Sequence, residues 1–264
     1  MSQKLSSSRA SWIRELLTSK RARDTERVFV VEGEKPVREL VTHRQARILS
    51  LVHTFDAVRL EQESWIASAG AQGVPVFSCD ESQFGKLSHV DTAQGILAVV
   101  EQPTWDEAAV FSKPSLLGVY GECIQDPANV AGLIRTSEAL GVDALWLSAG
   151  SADWFSPKVV RGSGGALWTL PVFALDDLLH VKDHGCQLWA ATLPSKTSQS
   201  LRSVAEIPPR LILAVGNESR GLSDSCQANA EHAIHIPMEG TINSLNVSVA
   251  AAILLFQLKG CQIK

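Results

Sequence analysis

From Ser115 onward the chain repeats one pattern: a short run that is apolar at nearly every position, then a stretch of helical spacing. The runs are SLLGVY (115–120), ALWLS (144–148), LPVFAL (170–175), QLWAAT (187–192), LILAVG (211–216) and HAIHIP (232–237). A strand without polar alternation must be covered on both faces, which a parallel sheet between helical layers provides. The intervening helices are expected at 129–140, 157–167, 175–184, 223–230 and 247–259, so the fold class is α/β with a parallel C-terminal sheet.

The first hundred residues read as a smaller α/β domain. RVFVVEG (27–33), RILSLVH (47–53), VPVF (74–77) and GILAVVE (95–101) are candidate strands, and 34–43, 60–69 and 80–87 candidate helices. QPTWDEAAVFSKP (102–114) carries two prolines around a mixed stretch and has the composition of a connector. The expected organisation is a domain over 1–101, a linker over 102–114 and a second domain over 115–264.

Composition narrows the class. A hydrophobic fraction of 45% and a charged fraction of 20% fit a folded globular protein. No segment reaches the ~18 consecutive apolar residues of a membrane span, and a cytoplasmic location with no membrane partner is expected. Five widely spread cysteines without a CxxC, and histidine pairs at 180/184 and 232/235 without a completing carboxylate motif, lead us to expect neither a disulfide framework nor a metal site. The net charge is −4, yet residues 1–47 hold eleven Lys/Arg against six Asp/Glu, a local +5. That asymmetry fits either a polyanion-binding arm or a solvated surface.

Three loops carry polar groups where a strand gives way to a helix, the position at which open α/β sheets collect ligands. In GECIQDPANVAGLIRTSEALGVD (121–143), Asn129 suits a helix entrance as a cap, and Arg135 lies among Val130, Leu133, Ile134 and Leu140, so its charge must reach water, an acid or a phosphate. In LILAVGNESRGLS (211–223), glycines 216 and 221 bracket Asn217 and Glu218, without the GKS/T of a phosphate-gripping loop. In IPMEGTINSLNVSVAA (236–251), Asn243 or Ser244 can cap the last helix, which leaves further polar groups unexplained. RGSGGAL (161–167) lacks GxGxxG spacing and reads as close packing.

Taken in order, the stretches NV-x-x-x-IRT-x-E-A-x-GVD (129–143), GNE-x-x-GLS (216–223) and IPM-x-G-x-x-x-SLNVS-x-A-A (236–251) resemble the SpoU, or TrmH-like, branch of the SPOUT RNA methyltransferases. The first hundred residues resemble the ribosomal-protein-like substrate-binding domain that precedes the catalytic domain in rRNA-modifying members. The resemblance implies a trefoil-knotted sheet, a homodimer, S-adenosylmethionine as cofactor and RNA as substrate. It favours rRNA, with tRNA or a non-catalytic ribosome-assembly role as alternatives. By motif position, Asn129, Arg135, Glu218, Ser244 and Asn246 are the expected catalytic and RNA-facing residues. Gly216, Ile236 and Leu245, with Thr192, Leu193 and Met238 beside them, are the expected cofactor contacts. A guanidinium rarely gives up its proton, so Arg135 is expected to stabilise a developing alkoxide rather than act as base. Ser219 and Ala128 stand where the family commonly has glycine, and neither removes a proposed catalytic group.

Overall fold

The computed structural model describes residues 2–43, 46–55, 60–88 and 93–263. Arg44, one of the basic residues counted above, lies outside them. The chain forms two compact units, residues 1–104 with 153–168 and residues 105–152 with 169–264.

In the first unit, β1 (Gln3–Lys4), α1 (Ser7–Thr18), α2 (Lys20–Glu26), β2 (Val28–Glu32), α3 (Glu34–His43), β3 (Ile48–Thr54), α4 (Leu60–Ala71), β4 (Val76–Cys79), α5 (Glu81–Gly85) and β5 (Ile96–Glu101) build a five-stranded sheet of order β1-β4-β3-β5-β2. β5 runs antiparallel to both its neighbours, and the remaining pairs are parallel. The basic N-terminal stretch is helical: α1 buries Ala10, Ile13, Leu16 and Leu17 against Val28, Val30 and Val52. Only its outer side is free to present charge.

Residues 153–168 pack into this unit although they lie far beyond the connector. Phe155 meets Phe29 of β2 at 5.0 Å between ring centres, and the Arg23 Nε and Nη2 groups donate to Asp153 Oδ2. Both partners of that ion pair are nearly inaccessible, so losing either one would strand a buried charge. The helical pattern expected over 157–167 holds only for Pro157–Gly162, because positive φ at Gly164 and Gly165 breaks it.

In the second unit, α6 (Glu107–Phe111), β6 (Leu116–Gly121), α7 (Pro127–Ala139), β7 (Ala144–Leu147), β8 (Val172–Ala174), α9 (Leu179–Asp183), β9 (Gln187–Ala191), β10 (Gln199–Ser200), β11 (Glu206–Ile207), β12 (Arg210–Val215), α10 (Asp224–Asn229), β13 (His232–His235), α11 (Val247–Lys259) and β14 (Gln262–Ile263) follow one another, α8 being the Pro157–Gly162 helix of the first unit. Seven of the strands form a wholly parallel sheet of order β10-β13-β9-β12-β6-β7-β8, as the uniform strands require. β11 and β14 pair separately.

One face of this sheet, through Tyr120, Trp146, Ala190, Ile212 and Ala214, packs on α6, α9 and α10. The other carries α7 and α11, which pack on each other. The stretch read as a connector is therefore partly core: α6 buries Val110 and Phe111, and Phe111 stacks on Trp146 at 5.4 Å. Asp106 caps its start, the side chain accepting from the Ala109 N–H at 3.2 Å, and Pro103 and Pro114 stand outside it.

Candidate active site

Because the strands are parallel, β6, β12, β9 and β13 release their chains at the same edge of the sheet, and the three polar loops converge there. α7 opens at Asp126, whose side chain accepts from the Ala128 N–H at 2.9 Å, with Pro127 in the first turn. The expected cap, Asn129, is instead inside the helix and 5% exposed. Asp-Pro takes the cap because proline has no N–H to satisfy and presets helical φ. Asn129 is thus released to point across the site.

Likewise Asn246, and neither Asn243 nor Ser244, caps α11: its Oδ1 accepts from the Ser248 N–H (3.0 Å), the Ser248 hydroxyl (2.7 Å) and the Val249 N–H (3.4 Å). Asn246 Nδ2 then donates to Asn129 Oδ1 at 2.7 Å, and Asn129 Nδ2 donates to Glu218 Oε1 at 2.8 Å. This chain has one allowed direction. The Glu218 carboxylate can only accept and the α11 amides can only donate, so both asparagines between them are held in fixed amide orientations.

The contact needs the helices close together. A Cβ at Gly132 would fall 2.7 Å from the Ser248 Cβ, so only glycine lets α7 approach α11 this closely.

Glu218 sits in a tight reversal. Asn217 and Gly221 exchange two backbone hydrogen bonds (3.0 and 2.9 Å), Asn217 Oδ1 accepts from the N–H groups of Ser219 and Arg220, and Gly221 has φ +70°. Burial pushes the Glu218 carboxyl up, but hydrogen bonds from Asn129 and from the backbone of Glu218, Asp126 and Gln125 outweigh it and hold it below the ordinary carboxylate range. Glu218 is therefore ionised at neutral pH, as an acceptor-only terminus requires.

Arg135 and Ser244 do not join this cluster. Arg135 is exposed on α7, Ser244 is exposed ahead of α11, and among the described residues neither side chain forms a hydrogen bond. The expected cofactor contacts fall at adjacent strand ends: Thr192 and Leu193 after β9, Gly216 after β12, Ile236 and Met238 after β13. Leu193 is 58% exposed and Leu245, beyond Met238, is 37% exposed. Thr192 Oγ1 is buried without a hydrogen-bond partner. At Gly216 a Cβ would lie under 3.0 Å from the backbone of Gly221 and Leu222, so the chain passes itself with no room for a side chain. Asn217, which shapes the loop, was not among the expected site residues; an asparagine next to a glycine is the sequence signal for such a turn. No group of three potential metal ligands occurs among the described residues.

Residues 117–256 match the model of the SpoU rRNA Methylase family, and residues 13–98 match the MRM3-like substrate binding domain. The 23S rRNA (guanosine(2553)-2'-O)-methyltransferase RlmP of Bacillus subtilis is 30% identical over 252 residues, 92% of this chain and 93% of that protein. Among solved structures, an AdoMet-bound rRNA methyltransferase from Sinorhizobium meliloti superposes with a TM-score of 0.84 at 25% identity, covering 98% of this chain and 96% of the other. An RNA 2'-O ribose methyltransferase gives a TM-score of 0.79 at 26% identity, with 98% of both chains covered. With its fold, its three motifs and more than half its length matched, the chain belongs to the SpoU rRNA methylase family.

Proposed function

We propose that the protein transfers the methyl group of S-adenosylmethionine to a ribose 2'-hydroxyl of ribosomal RNA of the 23S type, in the cytoplasm. The observation that carries this is the Glu218–Asn129–Asn246 chain, which joins all three motifs at the ligand-binding edge of the sheet. S-adenosylmethionine brings an activated methyl, so the protein's work is to orient two reactants and help a hydroxyl lose its proton. The residues present fit that cofactor: a buried, unpartnered Thr192 hydroxyl and the backbone of a glycine loop offer hydrogen bonds, and Leu193, Ile236, Met238 and Leu245 offer apolar surface.

Asn129 and Asn246, fixed in orientation, position the ribose, with Ser244 facing it from the segment before α11. Arg135 contributes positive charge to the developing alkoxide. Purified protein should incorporate labelled methyl into rRNA from a strain lacking the gene. Absence of both incorporation and cofactor binding would sink the reading. Arg135→Ala should lower kcat about 100-fold, the scale of one lost electrostatic donor, with cofactor affinity within about twofold. Equal loss of both would make Arg135 structural.

The active form is a homodimer in this reading. Val249, Ile253 and Phe256 lie at helical spacing on α11 and are exposed, Phe256 by 73%, beside an open apolar groove lined by Ala139, Leu140, Leu201 and Pro237. A contiguous apolar face of this kind calls for a partner surface, and a second copy supplies the same patch. Arg135 shares α7 with Thr136 and Ala139 of this groove, which supports a site completed at the edge of such a dimer. Phe256→Asp should convert the dimer to monomer in light scattering and cost about tenfold or more in activity, since a site assembled from two chains is then incomplete. An unchanged mass would overturn the interface.

The first unit is the RNA-binding part in this reading, supported by the substrate-binding match over 13–98 and the basic character of residues 1–47.

A further inference from the structure

The loop from Gly216 to Ser223 is suspended from the segment that follows β6 by two tethers on consecutive residues. At its near end, Asn217 Nδ2 donates to the Cys123 carbonyl at 2.8 Å. At its far end both oxygens of Glu122 are taken by one residue: Ser223 N–H donates to Oε2 at 2.6 Å and Ser223 Oγ donates to Oε1 at 2.7 Å. The Glu122 backbone is itself pinned, its N–H donating to the Val215 carbonyl at 2.9 Å, one step beyond the β6–β12 ladder. Ser223 is also the cap of α10, its Oγ accepting from the Cys226 N–H at 3.1 Å. The carboxylate therefore fixes the loop's exit and the start of the next helix relative to the very strand end that launches α7.

We propose that Glu122 is a positioning residue for the cofactor loop: its paired hydrogen bonds to Ser223 hold residues 216–223 in the shape that receives S-adenosylmethionine. This rests on the reading above that the loop lines the cofactor site. The carboxylate accepts from both groups as they stand, the Ser223 N–H being a donor only and the Ser223 hydroxyl pointing its proton at Oε1. An amide would keep one acceptor for the Ser223 N–H, but its NH2 would meet Ser223 Oγ only after that hydroxyl turned its proton elsewhere, and neither bond would keep its charge assistance. Nothing about residue 122 by itself in the sequence indicates this, since its partner lies 101 positions away.

The test measures cofactor binding by calorimetry, turnover at saturating cofactor, and amide exchange of the loop in cofactor-free protein. Glu122→Gln should weaken S-adenosylmethionine binding about tenfold, the scale of losing a hydrogen bond to a charged group. Turnover at saturation should stay within about twofold, because Glu122 touches no reacting atom. Exchange at residues 217–222 should quicken while the β12 amides stay protected.

Glu107→Gln serves as the comparison. That carboxylate also binds two partners, Trp146 Nε1 at 2.7 Å and His180 Nε2 at 3.1 Å, but neither belongs to the loop or to the segment after β6. It should leave cofactor affinity unchanged. Should Glu122→Gln fail to fold, Ser223→Ala removes one of the two bonds together with the α10 cap and should weaken binding about threefold, while Ser223→Gly, which also lacks the hydroxyl but costs less at a cap, should weaken it as much. The proposal is overturned if these variants bind cofactor like wild type, or if Glu107→Gln weakens binding equally. Were the wild type itself to bind no S-adenosylmethionine, the proposed function would fall, and loop exchange in Glu122→Gln would still judge the clamp.

Discussion

Alanine at position 216 is expected to abolish cofactor binding, with no heat detected at concentrations about 100 times the wild-type Kd. The added Cβ would meet the backbone of Gly221 and Leu222, and backbone cannot rotate away as a side chain can. Relief requires opening the paired Asn217–Gly221 hydrogen bonds, and with them the turn that aims Glu218 at Asn129. The stability cost should be about 1–3 kcal/mol, typical of overpacking, because the buried strand from Leu211 to Val215 lies before the collision. A folded protein that binds neither cofactor nor turns over is thus the expected result. Gly85→Ala is the matched control: nothing lies within 4 Å of its Cβ position, and binding should be unaltered. Normal affinity in Gly216→Ala would remove this loop from the proposed cofactor site.

The second large effect belongs to Asn246, and two substitutions separate its two roles. Asn246→Ala removes the α11 cap and the donor to Asn129 together. It should cost about 1 kcal/mol of stability, as lost caps do, and lower kcat about 1,000-fold if the amide chain orients the ribose. Asn246→Asp keeps the cap and adds a negative charge where a helix N-terminus favours one, so stability should be retained. Catalysis should still fail, because aspartate offers no donor. If Asn129 Oδ1 stays in place it faces a carboxylate, and if the amide turns over, its oxygen faces Glu218. One contact is lost in either orientation. An active Asn246→Asp enzyme would reduce the asparagine to a cap.

Some of this was open to inspection in the sequence. The parallel sheet was legible in strands with no polar alternation, and α11 was bounded as expected because Val247–Lys259 is apolar and ends before Gly260. α1 was not bounded, although Ala10, Ile13, Leu16 and Leu17 have helical spacing; the surrounding serines and arginines left a polyanion-binding arm and a solvated, helix-rich surface equally open. The helix at Glu107–Phe111 was hidden for another reason: five residues are too few to show a period, and only packing on Trp146 makes them core.

At the site, the motifs named Asn129, Glu218 and Asn246 but could not say that they touch. Nor could they assign the caps correctly, since Asp126 and Asn246 hold those positions through geometry that residue type alone leaves open. By itself the sequence determined the sheet type and the ordered motifs, because periodicity and short-range chemistry are written along the chain. Only the tertiary structure decided the direction of the amide chain, the Glu122–Ser223 clamp and the packing of residues 153–168 with the first unit. Each joins groups about 90 to 130 positions apart, and such contacts come into being only when the strand ends are brought to one edge or an apolar surface such as Phe29 selects a distant partner.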